Sequence, residues 1–220
     1  MIEQFVAKLG TKQRLLTLEV TPPLSPTLAG SKEVEKLLKL SSEVTIDAFV
    51  CTDSPLAHFK PSSILSSIKL QNITHRPVVC TLGMRDRNSI ALCGDILAAN
   101  EFGLRSFLCL TGDPIKLGDC AESKGVFEEN SLKLMRIIHD LNEGKVLSGK
   151  ALKDSIEPIY GFQVINSYAN NPQSLKTKMR KKISQGKPYA LFTQPVYSKK
   201  MAEFLLQSLN EINAELGTHT

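Results

Sequence analysis

Apolar residues fall into two patterns that take turns along the chain. Short unbroken apolar runs, closed by Gly, Pro or polar residues, predict strands buried on both faces, and stretches with apolar residues at helical spacing predict amphipathic helices. The predicted strands are Leu15–Val20, Val44–Cys51, Pro77–Leu82, Phe107–Leu110, about Pro158–Asn166, and Tyr189–Phe192. A short helix over residues 1–10 precedes them, with Ile2, Phe5, Val6 and Leu9 on one face and Gly10 as its stop. A helix follows each strand. The first is capped by Ser31 and carries Val34, Leu37, Leu38 and Leu40; the second starts near Pro61, with Ile64, Leu65 and Ile68 together. The third, Ser89–Phe102, is capped by Asp86 or Asn88 and ended by a left-handed Gly103. The fourth, Ser131–Glu143, presents Leu134, Ile138 and Leu141 and stops at Gly144. Asn171 and Pro172 open the fifth, with Leu175, Met179 and Ile183 every fourth residue; Ser198 caps the last, with Met201, Phe204, Leu205, Leu209 and Ile212 inside.

Unbroken strand–helix alternation implies a parallel sheet with right-handed crossovers. Two layouts satisfy it, an open doubly wound sheet or part of a (β/α)8 barrel. No strand is followed by a GxGxxG or GxxxxGK[ST] loop, so the nucleotide signatures of open sheets are missing. Polar residues instead close nearly every strand: Glu19, Thr52 with Asp53, Arg85 with Asp86, Asp113, Asn166 with Ser167, and Thr193 with Gln194. Contributions from many strand ends are how a barrel builds its site. In RSFLCLTGDP (Arg105–Pro114) a doubly buried strand delivers the Asp113 carboxylate to that edge. Taken alone, Asp113 before Pro114 also reads as a turn residue, Thr52–Pro55 as turn chemistry, and Glu19 as half of a structural ion pair.

Composition changes this picture little. With 42% hydrophobic and 22% charged residues among 220, the chain reads as one ordinary soluble domain, residues 1–220. No apolar run reaches membrane-span length and the N-terminus lacks signal-peptide character, so a cytoplasmic location and no membrane partner are expected. A net charge of +5 without tryptophan gives no reason to expect nucleic acid. Five scattered cysteines read as small buried hydrophobes, and no Cys/His cluster suggests a metal. The basic run Lys176, Lys178, Arg180, Lys181 reads as a solvated helix face.

The segments LEVTPP (Leu18–Pro23), TDSP (Thr52–Pro55), RDRN (Arg85–Asn88), LTGDPIKLGD (Leu110–Asp119), LNEG (Leu141–Gly144) and TQPVY (Thr193–Tyr197) together make the chain resemble the methylenetetrahydrofolate reductase family from about residue 14 onward. The resemblance implies a (β/α)8 barrel, of which this chain carries about six units. It also implies FAD-dependent reduction of 5,10-methylenetetrahydrofolate to 5-methyltetrahydrofolate, with NADH, NADPH or another reductant. By the same resemblance Glu19 matches the general acid that opens the methylene bridge to an iminium ion. Asp113 matches the aspartate beside flavin and folate, and Gln194 a glutamine that contacts folate. Thr52, Asp53, Thr111, Gly112, Asp113 and Lys182 fall where the family touches FAD or nicotinamide. The physical chemistry agrees: burial favours a protonated carboxyl, and a fixed carboxylate at a strand edge stabilises a developing cation.

Three departures qualify the match. Two βα units are missing after the sixth, which would leave open edges for a homo-oligomer or a complementing subunit to cover. Cys80 to Met84 stand where much of the family has a flavin-contacting His, and Gln163–Tyr168 replace small residues, leaving the adenosine side of the FAD site to Tyr168 or Asn170. A relic flavin-binding subunit without catalysis is the alternative. An aldolase or lyase would want a Schiff-base lysine inside a strand, and no predicted strand holds one.

Overall fold

In the computed structural model, which describes residues 1–11, 13–24 and 32–220, each apolar run becomes a strand and each helically spaced stretch a helix. The strands are β1 (Thr17–Val20), β2 (Ala48–Cys51), β3 (Val78–Gly83), β4 (Ser106–Leu110), β5 (Tyr160–Ile165) and β6 (Leu191–Thr193). The helices are α1 (Ile2–Leu9), α2 (Lys32–Glu43), α3 (Ser63–Thr74), α4 (Ser89–Glu101), α5 (Ser131–Asn142), α6 (Pro172–Gly186) and α7 (Lys199–Leu216). All neighbouring strands pair in parallel, in the order β1 to β6, and the sheet curls as a half-barrel. Six units of the expected barrel are therefore present among the described residues.

Alternation within each strand sorts side chains onto two faces. Phe49, Cys51, Val78, Cys80, Leu82, Phe107 and Cys109 point outward and pack under Ile64, Leu92, Ile96, Leu134 and Ile138 of the helices. Ala48, Val50, Val79, Leu108 and Phe162 point to the concave face, where Ile2 and Phe5 of α1 plug the amino-terminal end. A third cluster, Ile165, Leu175, Met179, Ile183, Leu205 and Ile212, joins β5 to α6 and α7. Four cysteines are buried in this way and Cys120 is exposed; burial pushes the Cys51 thiol up to about 11.

Asn88, Asn130, Asn171 and Ser198 cap α4, α5, α6 and α7, and Gly103 and Gly144 take the left-handed conformation after α4 and α5. Several details differ from expectation. Asp86 pairs with Arg85 instead of capping α4, and Ser62 caps α3, so Pro61 lies before the cap and not in the first turn. Ser31 lies outside the described residues. Gly10 ends α1 with φ −79°, needing no glycine freedom. Leu65, Leu38 and Leu40 are exposed. On α3 the small residues Ser63, Ser66 and Ser67 share the buried side with Ile64 and Leu70. Lys178, Arg180 and Lys181 are exposed, the solvated face expected, and on that face Lys176 and Arg180 pair with Glu211 and Glu215 of α7.

β1 and β2 begin later than their apolar runs because Asp47 closes the ladder below them. Its Oδ2 accepts the Leu16 N–H at 2.9 Å, and its Oδ1 accepts from Lys8 Nζ of α1 at 2.9 Å. The Leu16 N–H and then Lys8 hold the Asp47 carboxyl below its usual 3.8. A depressed carboxyl contributes stability above its unfolded value and loses it as pH falls through the folded one. The docking of α1 is therefore expected to loosen below about pH 4. The protection of residues 2–9, taken as each exchange rate relative to its intrinsic rate at that pH, should fall on acidification in the parent; in Asp47→Asn it should already be low at neutral pH, and the pH dependence left is that of Glu3, whose carboxyl its own backbone N–H and Arg105 hold at about 2.

Candidate active site

The carboxyl ends of the strands gather most of the sequence-nominated residues, and the alternation decides which of them face the concave side. In β1, Leu18 and Val20 pack toward the helices, so Glu19 points the other way, in register with concave Val50. Its side chain is exposed, not half-buried as the apolar run suggested, and it makes no hydrogen bond or ion pair to the described residues. Thr52, on the concave side of β2, is buried and donates its hydroxyl to Thr21 Oγ1 at 3.1 Å. Gln194 follows β6 at the opposite edge of the sheet; its backbone N–H donates to the Ile165 carbonyl at 3.0 Å, and its side-chain amide is exposed. Among the described residues, neither the carboxyl on one edge of the sheet nor the side-chain amide on the other has a partner.

Between these edges the loops after β2, β3 and β4 are knotted by charge. The nearly buried Asp53 Oδ2 accepts the Gly83 N–H at 3.1 Å and Arg87 Nη1 at 2.9 Å, and Arg87 also reaches Asp95 at 3.3 Å. Asp113 Oδ2 accepts the Leu56 N–H at 2.7 Å. Asp119 accepts the Phe59 N–H with both oxygens and lies 3.6 Å from His58 Nδ1. Asp53 and Asp113 therefore occupy the expected strand ends but also serve as loop clamps. A cleft of about 200 Å³ opens beside them, lined by Ser54, His58, Arg85, Asp86, Asp119 and Cys120 among others.

Two nominated residues serve the scaffold. Thr111 Oγ1 accepts the Ser131 N–H at 3.2 Å at the start of α5. Lys182 approaches from the helix-covered side and donates to the Val164 carbonyl at 2.6 Å, and burial lowers its pKa. Sequence reasoning did not single out Arg87, Asp119 or Glu128, which takes the Ser89 N–H at 3.0 Å. The signal available was the alternating charge of RDRN directly after a strand.

Gly83 and Gly112 meet at the ends of β3 and β4. A Cβ on Gly83 would stand 3.8 Å from the Gly112 Cα, and Gly112 holds φ +97°, with a Cβ there falling 2.7 Å from the Arg85 Cβ. The space beside both glycines is filled, by Asp53 Oδ2 3.7 Å from the Gly83 Cβ position and by Arg85 at that of Gly112, so the loops after β3 and β4 pack backbone against backbone here.

A family model described as methylenetetrahydrofolate reductase matches residues 2–211. Among solved structures, an uncharacterized protein from Clostridium thermocellum, described as binding two copies of 5-methyl-5,6,7,8-tetrahydrofolic acid, superposes with a TM-score of 0.63 at 14% identity. The match covers 99% of this chain and 66% of that one, so this chain spans just under two thirds of its length. A 2,3-dimethylmalate lyase of the PEP mutase/isocitrate lyase superfamily superposes with a TM-score of 0.57 at 13% identity, over 94% of this chain and 68% of its own. At these identities the likeness is one of fold. No curated protein sequence matches the chain. No helix among the described residues is long and apolar enough to cross a membrane.

Proposed function

The chain belongs to the methylenetetrahydrofolate reductase family, and from that membership we propose that residues 1–220 form a barrel-type unit that reduces 5,10-methylenetetrahydrofolate to 5-methyltetrahydrofolate with FAD and a nicotinamide reductant. The observation that carries the reading is Glu19, a carboxyl without a partner among the described residues, on the concave face at a strand's carboxyl end. Charged groups placed there without a structural use are candidates for chemistry.

Thr52, Asp53 and Asp113, a hydroxyl and two carboxylates at the ends of β2 and β4, have the hydrogen-bonding chemistry that the polar rim of a flavin ring calls for and would hold that end of FAD, which when bound supplies hydride transfer. The chain's own residues supply the rest. Glu19 donates a proton to the folate nitrogen as the methylene bridge opens. Asp113 keeps a fixed negative charge near the cationic carbon so produced, stabilising it without reorganisation. Gln194 offers an amide donor and acceptor from the far edge and orients the pterin.

Purified chain loaded with FAD tests this directly. Stoichiometric uptake is expected, with a flavin spectrum bleached by NADH or NADPH and restored by methylenetetrahydrofolate. Protein that never takes up FAD, or whose reduced flavin ignores the folate, refutes the proposal.

A further inference from the structure

Arg85 is touched by all three loops that follow β2, β3 and β4. It is only 4% exposed. Its Nε and Nη2 take both oxygens of Asp86, at 2.7 and 2.6 Å, which neutralises the buried charge. Its Nη1 donates to the Ser54 carbonyl at 3.2 Å. Its Cβ fills the place where a side chain on Gly112 would be, and its carbonyl accepts the Val126 N–H at 2.6 Å. With one edge of the fork committed to Asp86 and the remaining nitrogen to Ser54, the guanidinium acts as a bracket between loops and not as a free cation for a ligand.

The loop it brackets is strained. Ser54, Leu56 and Ala57 have φ of 41°, 54° and 59°, values that non-glycine residues hold only when their surroundings impose them. Among the described residues three side chains impose them: Arg85 on the Ser54 carbonyl, Asp113 on the Leu56 N–H and Asp119 on the Phe59 N–H. A Cβ on Gly118 would fall 2.0 Å from the Ala57 carbonyl oxygen, so the β4 loop also abuts this turn by backbone. The contact that orients Asp113 is thus made by a turn whose shape depends on Arg85.

We infer that Arg85 is a positioning residue for Asp113, acting through the Ser54–Ala57 turn and the Leu56 N–H. The inference rests on the role given to Asp113 in the proposed function. Lysine cannot replace Arg85 here, because an ammonium lacks the planar fork that holds a carboxylate and a carbonyl in one arrangement.

The test uses the full chain with Arg85→Gln, Arg85→Lys, Asp113→Asn and the Arg85→Gln/Asp113→Asn double variant. Amide exchange of Leu56 is read without ligand, and the folate half-reaction is read as reoxidation of chemically reduced flavin. Both Arg85 variants are expected to accelerate exchange at Leu56. They should also slow the folate half-reaction about a hundredfold at saturating folate, the loss typical of an ångström-scale misplacement. In the double variant, Arg85→Gln should add nothing to Asp113→Asn. Unchanged Leu56 exchange, or losses that multiply in the double variant, overturns the inference. If Asp113→Asn slows the folate step and Arg85→Gln does not, the positioning role alone falls. If Asp113→Asn leaves that step intact, the role of Asp113 falls and takes this inference with it. Should the Arg85 variants fail to fold, Leu56→Pro, in an exposed turn, removes the N–H that Asp113 accepts with Arg85 in place; the same slowing is expected, and a parental rate overturns the inference.

Discussion

Replacing Glu19 by Gln is expected to leave the chain folded, flavin-loaded and reducible by NADH or NADPH, while oxidation by methylenetetrahydrofolate falls by about 10²–10⁴-fold, the range that a positioned general acid contributes. Gln keeps the length of the side chain and a polar end but has no proton to give. The substitution is clean for a structural reason. Glu19 is exposed and has no partner among the described residues, so its loss should move stability by no more than about 0.5 kcal/mol. Stopped-flow absorbance of the bound flavin separates the two half-reactions. Equal slowing of both would mean that Glu19 shapes the site or flavin affinity, and an unaffected folate half-reaction would remove it from the chemistry.

Glu19 also shows what was legible in the sequence. Its place on a strand could be read because LLTLEV is an apolar run closed by Thr-Pro-Pro, and the same rule located all six strands and the helices between them. Its exposure could not be read, since a four-residue edge strand has a neighbour on one side only, and that depends on the whole sheet. The same limit applies to Leu65, which helical spacing put inside. On α3 Leu65 faces out while Ser63, Ser66 and Ser67 share the buried side with Ile64 and Leu70, an orientation set by how the helix lies on β2 and β3. The knot of loops was hidden for another reason. Asp113 meets the Leu56 N–H and Asp119 the Phe59 N–H across nearly sixty residues of sequence, and a backbone donor leaves no mark on the residue type that carries it. The strand-end positions of Asp53 and Thr111 followed from pattern and resemblance and the choice of Lys182, on α6, from resemblance alone, whereas their structural uses followed only from the fold.

Asp53 is where these two kinds of use can be separated, and Asp53→Ala is expected to destabilise the chain by about 3 kcal/mol, the low end for removing one partner of a buried ion pair. Its side chain is 7% exposed and that of Arg87 is 20% exposed. Taking the carboxylate away leaves the guanidinium with Asp95 alone, at 3.3 Å and on the solvent side, and leaves the Gly83 N–H without its acceptor. Asp53→Asn keeps an acceptor for that N–H but loses the charge facing Arg87, so a smaller loss of about 1.5–3 kcal/mol is expected, the value of a hydrogen bond to a charged group. Removing Arg87 as well, in Asp53→Ala/Arg87→Met, should recover much of the loss, because a buried pair replaced as a unit leaves no orphan charge. Urea denaturation without FAD of the parent, Asp53→Ala, Arg87→Met and the double variant measures the cycle, with Asp53→Asn beside it. If Asp53 were only a cofactor contact, the ligand-free variants would match the parent and the deficit would appear solely in FAD affinity. If it holds the loops after β2 and β3 together, stability falls first. On the proposed function FAD affinity then falls with it, because the loop after β3 is tethered to this carboxylate through the Gly83 N–H and Arg87.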